Sequence, residues 1–580
     1  MTPSLLATKF QKFLKNNFQT TPLKAAPFFF GALTVTFAFF GLLSNHSLVQ
    51  SSYGAFGFLG GNGSLDEIVN SAWLTLAAIF APLTVASVIS YLFWQRLQAW
   101  WFFKSLSKGK IKDHIIVCGL GANNRHYILS ELEKEKCESI VVIEKSPSNP
   151  YMDIFRKRGV FFLLEDANVK ETLERASVLT CKHILVSTGS DSINFSIAST
   201  LDWLKCTRSV YLHVTHKEIE MYANEKKLFK HLKCELFSYY ENAARDLLVN
   251  KRWLVSGVDT INSDEVPHML IIGFGDLGQE VALQAIKQAS FYNGKKLKLT
   301  IIDADDSSHE QFYGKFPIVS SVCELEFWHA DIQSKKAQDI IKKLCYTYIV
   351  IALKDDDANL GLVLKLHHLY AQELFIQSPN KKRGIDKSKM PTIAVRFTGD
   401  SKLDFTELGD HIISFGQSSQ MSTHKILIDQ DLDKYAKQLH EAYAKKYNDT
   451  RKWEELDNFT KDSNRSAIDH FRVVKKEILK RKVPSMCELE KGTLDEGVKY
   501  HLVDVEHTRW NTFHYLYGWK HQATEVWGKC KQFKKMHQAH RLHPCLVETK
   551  ELEKLGNDYL QNDLDGYIVP FGIEFGKETK

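Results

Sequence analysis

The chain has 580 residues, several domains' worth at roughly 100 to 200 residues each. Its formal net charge of +6 is small for this length, and no long basic stripe carries interleaved aromatic residues, which argues against a nucleic-acid partner. The ten cysteines contain no C-x-x-C pair, which argues against a disulfide or zinc framework and for reduced thiols in a cytoplasmic compartment.

Two uncharged apolar stretches lie near the N-terminus, from Ala25 to Ser44 and from Ile68 to Trp94. Each is long enough to cross a hydrocarbon core of roughly 30 Å. A cleaved signal peptide is the alternative for the first stretch, but its apolar run starts late and no convincing small-residue cleavage site follows it. We therefore predict a two-span transmembrane hairpin within residues 25–95, with membrane lipid as a partner.

Basic residues flank the predicted hairpin. Lysines 9, 12, 15 and 24 precede the first span, a basic linker at 96–112 follows the second, and the connecting loop Asn45 to Glu67 has neither Lys nor Arg. By the positive-inside rule, the cytoplasmic N-terminus (1–24) and everything after the linker lie on the same side of the cell membrane. Only the loop is expected outside.

The loop between the spans does not match a potassium filter, which is expected where a two-span hairpin precedes a nucleotide-binding fold, as in ligand-gated potassium channels. Such a filter needs a re-entrant helix and a run such as TVGYG, and this loop shares only Tyr53-Gly54. Two alternatives stay open. One is a pore lined by glycine-rich backbone or by small and hydroxyl residues, Thr75, Thr84, Ser87 and Ser90; the other is an anchoring and oligomerisation hairpin.

Residues 113–250 begin with a strand, a glycine turn, a helix and a second strand. Gly119 and Gly121 match the first two glycines of G-x-G-x-x-G, but Asn124 replaces the third, so helix and strand are not expected to pack as closely there. The second strand ends in Glu144, an acid of the kind that bonds ribose hydroxyls; a solvent-exposed acid at a strand end is the alternative.

Residues 265–425 repeat the pattern with all three glycines. Gly273, Gly275 and Gly278 follow the run MLII, and they would allow the tight turn, the approach of a pyrophosphate and close helix packing, respectively. The next strand ends in Asp303. Free amides at the helix N-terminus would bind the phosphates.

The two units share polar residues at equal spacing. Asp166 and Asn194 are 28 positions apart, as are Asp331 and Asn359, and each Asn is preceded by an Asp at three residues' distance. This spacing indicates an internal duplication of one unit.

At these residues the chain resembles the potassium-transport regulator family, the RCK or TrkA-N domain. Its departures are Asn124, and Glu165 and Ala330 where the family usually has a glycine before the aspartate. The resemblance implies that NAD(H) or another adenine nucleotide binds as a regulatory ligand without being converted. The residues it implies are Gly119, Gly121, Glu144 and Asp166 in the first unit, and Gly273, Gly275, Gly278, Asp303 and Asp331 in the second.

Residues 428–580 have the charged composition of helices. The phrases EHTRW, GW and HPCLV resemble the RyR domain, the repeat named from ryanodine receptors that also occurs in bacteria, which suggests a prokaryotic protein. Arg509, Trp510 and Trp519 are candidate ligand-binding residues, since a cation and aromatic planes suit a phosphate and a base; ordinary core residues of a small helical domain are the alternative. His537, His540 and His543 form a poor tetrahedral set, so no metal is expected.

The fold class predicted is α/β: two tandem Rossmann-like doubly wound parallel sheets after a transmembrane hairpin and before a mainly α-helical RyR-like domain. The leading hypothesis is a nucleotide-sensing ion channel or regulator of potassium or cation transport, a homo-oligomer (dimer or tetramer), acting as a membrane-depolarising signalling or defence effector. An enzyme is not expected, because no catalytic domain follows either Rossmann unit. The alternatives are a membrane-anchored NAD-dependent oxidoreductase and a non-conducting scaffold that regulates a separate transporter.

Overall fold

The computed structural model describes most of the chain after residue 21. The described residues are 22–43, 55–56, 71–216, 219, 229–251, 253, 258–343, 345–377, 390–399, 405, 408–522, 540–555 and 557–575. They divide into two compact units: one has the described residues within 1–120, 134–210 and 231–233, and the other those within 121–133, 211–230 and 234–580. Most of the loop at 45–67, lysines 9, 12 and 15, and His537 lie outside the described residues.

Two helices precede the first sheet, α1 (Pro22–Leu43) and α2 (Ala72–Ser107). They pack antiparallel: the Phe37 ring lies 5.6 Å from that of Phe80, and the hydroxyl of Thr34 lies 3.4 Å from that of Thr84. Among the described residues, one stretch, Ala72–Ile89, is a helix long and apolar enough to cross a membrane, and α1 contributes a shorter apolar stretch, Phe30–Phe39.

The first sheet has six strands. They are β1 (Ile115–Cys118), β2 (Ile140–Ile143), β3 (Phe161–Leu163), β4 (His183–Val186), β5 (Ser209–His213) and β6 (Lys233–Phe237). The helices between them are α3 (Ala122–Leu132), α4 (Met152–Lys157), α5 (Lys170–Arg175) and α6 (Asp191–Trp203). The order is β3-β2-β1-β4-β5-β6, with β1 parallel to both neighbours. Strands β1, β2 and β4 are buried throughout, as their apolar runs predict for a parallel sheet.

A crossover leads to the second sheet. It consists of α7 (Tyr239–Arg245) and a π-helical turn, π1 (Asp246–Asn250). The strands that follow are β7 (His268–Ile272), β8 (Lys298–Asp303), β9 (Glu324–His329), β10 (Tyr348–Ile351), β11 (Thr392–Arg396) and β12 (Ile412–Phe415). Their helices are α8 (Asp276–Lys287), α9 (Ser307–Lys315), α10 (Val319–Val322), α11 (Lys335–Ile341) and α12 (Asp356–Gln377).

The two sheets have the same topology. The second is ordered β9-β8-β7-β10-β11-β12, with its strands parallel throughout, so each sheet starts at the centre, runs to one edge and returns across the first strand. Two tandem α/β Rossmann-like domains are therefore present, as predicted. The order reverses beside β1 and β7, which is where open α/β sheets bind ligands.

Short helices and a C-terminal helical region follow the second sheet. They are α13 (Ser418–Met421), α14 (His424–Leu427), α15 (Lys434–Tyr447), α16 (Asn458–His470), the π-helical turn π2 (Phe471–Lys475), α17 (Lys476–Lys482), α18 (Met486–Lys491), α19 (Glu496–Leu516), α20 (Thr549–Leu555) and α21 (Asn557–Phe575). Turns of 3-10 helix lie at Asp431–Asp433 and Trp453–Glu455, and the short strands β13 (Lys520–His521) and β14 (Leu542–His543) pair in parallel.

One hydrophobic core joins this helical region to the second sheet. The same cluster of buried side chains includes Leu247 of π1, Val281 of α8, Phe471 of π2, Leu502 of α19 and Tyr567 of α21. The other face of the sheet has its own core beneath α12. The helical region and the second Rossmann-like domain are therefore packed as one body.

Candidate functional site

The glycine turn after β7 has three glycines with three different surroundings. Gly273 has a φ of +91°, and a Cβ on it would lie 2.9 Å from the carbonyl carbon and oxygen of Ala352. A Cβ on Gly278 would lie 2.2 Å from the carbonyl oxygen of Gly273. Gly275 begins α8 and faces open space, with nothing within 4 Å of a Cβ placed there. Two glycines are thus required by packing, and the third leaves room over the helix N-terminus, where a phosphate would bind.

Asp303, at the end of β8, fixes this turn. One carboxylate oxygen accepts a hydrogen bond from the amide of Phe274, and the other accepts one from the amide of Asp305 at 2.7 Å. Asp305 in turn accepts hydrogen bonds from the hydroxyl and the amide of Ser307. These bonds, together with the nearby His329 and Lys354, lower the pKa of Asp305. A carboxylate oxygen has more than one lone pair, so Asp303 can hold the turn and still accept from a ribose hydroxyl.

Glu144 does the same in the first domain. Its two oxygens accept from the amides of Leu120 and Ser146, both at 2.8 Å, and its side chain is buried. Gly119 has a φ of +90°, matching Gly273. Gly121 begins α3, and a Cβ there would meet nothing within 4 Å. Asn124, in the place of the third glycine, is buried in α3.

The two predicted aspartates after β3 and β9 lie in exposed turns. Asp166 accepts from the amide of Asn168 at 2.9 Å and pairs with Lys145 at 2.9 Å, and these contacts lower its pKa. Asp331 accepts from the amide of Gln333 at 2.7 Å. Asp166 and Asp331 therefore stabilise the turns that follow their strands, at the same edge of each sheet as Glu144 and Asp303. Their contact with a ligand stays a prediction.

The paired asparagines support the loops after β4 and β10. Asn194 accepts from the amide and hydroxyl of Thr188 at 2.9 and 2.8 Å. Asn359 accepts from the amide of Leu353 at 3.2 Å and donates to its carbonyl at 3.1 Å. In both domains the side-chain oxygen of the asparagine thus accepts from the backbone amide six residues before it, while the other bonds of the two asparagines differ.

The helical region contains a pocket of about 480 Å³. Its walls come from α15, α16, α19 and α21, and its aromatic lining is Tyr443, Tyr447, Trp510 and Tyr559. Polar groups of Asn464, His507 and Asp563 also line it. Its volume lies in the range of small-molecule sites, and its lining combines aromatic rings with charged and hydrogen-bonding side chains.

Two of the three residues predicted to bind a ligand here line the pocket. Trp510 is partly exposed to it, while Trp519 stacks on Phe459 with ring centroids 5.2 Å apart and is not among the lining residues. Arg509 lines the pocket but is buried, with Nε and Nη2 donating to Glu506 at 2.9 and 2.8 Å and Nη1 to Ser466 at 3.2 Å. A phosphate would have to compete with Glu506 for this guanidinium. The pocket is better suited to a planar ring on Trp510.

His507 and Asp563 lie next to each other on the pocket wall. The Nε2 atom of His507 lies 2.9 Å from the carbonyl oxygen of Val547, which can only accept, so Nε2 carries hydrogen. Nδ1 lies 3.3 Å from a carboxylate oxygen of Asp563, and burial raises the pKa of Asp563. His543 is used locally: its Nδ1 accepts from the amide of Cys545 at 3.1 Å.

Several residues around these sites were not found from the sequence. Lys145 and Asp305 follow the predicted residues Glu144 and Asp303 within two positions, so the signal for them is the turn after each strand-end acid. Lys354, after β10, follows no predicted residue closely. The pocket residues Tyr443 and Asp563 come from helices more than a hundred positions apart, so spacing carries no signal for them.

Comparisons with known proteins identify the first domain. The model of the TrkA-N domain family matches residues 115–229. The structure described as the GsuK channel is 14% identical over 70% of this chain and 96% of its own, with a TM-score of 0.38. The GsuK channel bound to NAD is 13% identical over 74% and 85%, with a TM-score of 0.39, and GsuK bound to ADP is 14% identical over 69% and 96%, with a TM-score of 0.38.

Such low identities and TM-scores establish no function for this chain. Comparison of the sequence with curated proteins finds no match. The family match, in contrast, covers β1, its glycine turn, Glu144 and Asp166, the residues on which the sequence resemblance rests. Residues 115–229 are therefore a TrkA-N domain.

Proposed function

We propose that this protein is a membrane-embedded nucleotide sensor, either a ligand-gated ion channel or a regulator of potassium or cation transport. NAD(H) or another adenine nucleotide binds the Rossmann-like domains as a regulatory ligand and is not chemically converted. Ligand binding changes the conformation of the transmembrane hairpin. Such a change requires that the ligand bind one arrangement of the domains more tightly than the other.

The observation that carries the proposal is the open space over Gly275 at the N-terminus of α8. A Cβ on Gly275 would meet nothing within 4 Å, the amides of a helix N-terminus suit a phosphate, and the turn lies where the strand order reverses. Asp303 is positioned at the adjacent strand end for a ribose. The same arrangement of acid and turn around Glu144 supports a second site in the first domain.

The long helix α2 supports the membrane part of the proposal. Its apolar stretch Ala72–Ile89 leaves large side chains exposed, such as Trp73 and Ile79 at 50% and 54%, which lipid would cover. The same helix continues to Ser107, where the Phe102 ring stacks on Phe161 of β3 with centroids 3.5 Å apart. A single helix thus extends from the proposed membrane segment to the TrkA-N domain. In this proposal both chain termini lie in the cytoplasm of a prokaryotic cell, as the basic flanks of the hairpin indicate.

The helical region supplies a further ligand site in this proposal. It is an RyR-like domain whose pocket takes a small signalling molecule on Trp510. The protein acts as a homo-oligomer, dimer or tetramer, and it depolarises the membrane when the signal appears.

Ion flux in liposomes tests the proposal. The full chain is reconstituted, and potassium flux is measured with NAD, NADH and ATP in turn, using Gly275→Asp as the variant that blocks the open space. Nucleotide-dependent flux that Gly275→Asp abolishes supports the channel. Binding without flux favours the scaffold alternative, and NADH turnover that is lost in Gly275→Asp favours the oxidoreductase.

A further inference from the structure

A buried ion network joins the crossover helix α7 to the helical region. Arg245, the last residue of α7, donates to Asp433 at 2.7 Å and to Asp469 of α16 at 2.9 Å. Arg465 of α16 binds Asp433 and pairs with Asp462 at 2.6 Å. All five side chains are buried or nearly so. Removing one partner of such a buried network leaves an uncompensated charge, so α7 and α16 are held in one relative position.

Helix α16 separates this network from the ligand pocket. The network residues Asp462, Arg465 and Asp469 have the spacing of one helix face. Ser463, Asn464 and Ala467, which line the pocket, occupy the opposite face. Any displacement of α16 by a molecule in the pocket therefore acts on the ion network directly.

Each helix of the network ends in a π-helical turn. In π1 the turn begins one residue after Arg245, and in π2 it begins two residues after Asp469. The two turns lie against each other, with Arg472 donating to Asn250 at 3.4 Å. Lys475, the last residue of π2, binds Glu506, which lines the pocket. Single π-helical turns occur frequently at functional sites, because conversion to α-helix shifts the register by one residue.

Helix α7 also contacts the helix of the glycine turn. Glu241 of α7 accepts from Gln284 of α8 at 3.5 Å, and Leu247 of π1 shares a core with Val281 and Leu277 of α8. The N-terminus of α8 is the proposed phosphate site at Gly275. A continuous series of described contacts thus runs from the pocket through α16 and α7 to α8.

We propose that occupancy of the pocket changes nucleotide affinity at Gly275 through α16 and the Arg245–Asp469 contact. This rests on the proposed function, because it assigns the second Rossmann-like domain a nucleotide. By linkage, the nucleotide changes the affinity of the pocket for its own ligand by the same factor. The response of the protein to one ligand then depends on whether the other ligand is bound.

The test fills the pocket by substitution, since its ligand is unidentified. Asn464→Trp places a large ring on the pocket face of α16, and Gln561→Trp, on the exposed face of α21, is the matched control. NAD affinity is measured on the full chain in detergent for both variants, each also combined with Asp469→Asn. Hydrogen exchange of the amides at 246–250 is recorded for the same proteins without nucleotide. Ser463→Trp replaces Asn464→Trp if that variant does not fold.

We expect Asn464→Trp to change NAD affinity by at least about fivefold and to alter exchange in π1. Gln561→Trp leaves both unchanged, and Asp469→Asn removes most of the Asn464→Trp effect. Unchanged affinity and exchange in folded Asn464→Trp overturn the coupling, as does an effect that persists with Asp469→Asn. If the unsubstituted protein binds no NAD, NADH or ATP, the proposed function fails, and the exchange of π1 still decides whether α16 and α7 are coupled.

Discussion

The carbonyl oxygen of Gly273 approaches the Cα of Gly278 so closely that a Cβ on Gly278 would lie 2.2 Å from it. Because both atoms of the contact belong to the backbone, no side-chain rotation can relieve a clash there. We expect Gly278→Ala to destabilise the protein by about 2 kcal/mol or more, seen as a lower thermal midpoint of the full chain in detergent.

Gly275→Ala provides the complementary prediction. Gly275 has an ordinary negative φ and open space beside it, so stability should change by no more than about 0.5 kcal/mol. Its methyl group would occupy the space over the α8 amides, and nucleotide affinity should fall at least about tenfold. Titration of NAD, NADH and ATP into Gly275→Ala and into the unsubstituted protein measures the change in affinity. Equal affinity in Gly275→Ala and the unsubstituted protein would contradict it.

Asp303→Asn tests the acid at the strand end. The carboxamide keeps one acceptor oxygen but turns an NH2 group toward a second amide donor, so one of the hydrogen bonds to Phe274 and Asp305 is lost. We expect weaker nucleotide binding, by about tenfold, and a loss of about 1 to 3 kcal/mol. Asp339→Asn, an exposed position on α11, is the control and should be neutral in both measurements.

The sequence predicted the Rossmann-like domains well because their signals are local. An apolar run, a glycine turn and a strand-end acid each lie within a few residues, and the duplication repeats them. The spacing of Asp166 with Asn194 and of Asp331 with Asn359 predicted equivalent positions, and each asparagine does accept from the amide six residues before it. Asn124 predicted looser packing, and this stays a prediction.

Arg245→Met addresses the buried network. The substitution leaves Asp433 and Asp469 buried with one cation fewer, and a loss of about 3 to 5 kcal/mol is expected. Arg481→Met is the matched control, because Arg481 pairs with Asp259 at 3.1 Å while the two side chains are 47% and 38% exposed; its loss should be much smaller than that of Arg245→Met. Thermal unfolding of the two variants measures both losses of stability. Similar losses in Arg245→Met and Arg481→Met would contradict the role of burial.

The buried imidazole of His470 predicts that the folded protein loses stability at acidic pH. Burial, and then the charge of Lys475, lower its pKa from about 6.5 to about 3. The unfolded chain therefore binds a proton between these values that the folded chain does not, so stability falls as the pH falls through this window. His514 has a similarly lowered pKa and adds to the slope.

His470→Gln should remove its share of that slope. Glutamine retains an N–H donor for the carbonyl oxygen of Ser290, which the Nε2 atom of His470 contacts at 3.0 Å. Between pH 7 and pH 5 the variant should lose about 2 kcal/mol less than the unsubstituted protein. Thermal midpoints at pH 7, 6 and 5 measure the difference. Parallel curves for the two proteins would assign the acid lability elsewhere.

The helical region shows what local patterns miss. The sequence offers Arg509 and Trp510 as a cation beside an aromatic plane, but Glu506, three residues earlier, binds Nε and Nη2 of the guanidinium. Asp433 and Arg245, at 188 positions' separation, meet only because the chain folds α16 against the crossover. Neither contact has a periodicity or motif, so it cannot be read from one sequence.

The helical region and the second Rossmann-like domain share one core, formed by Leu247, Val281, Phe471 and Tyr567 among others. This shared core limits how the gene can be divided during evolution. A gene fragment encoding only residues 428–580 would produce helices whose apolar faces had lost the partner that covers them. Recombination that moves these helices into another protein must carry the second Rossmann-like domain along. We therefore expect the segment from α7 to α21 to be inherited as a single piece.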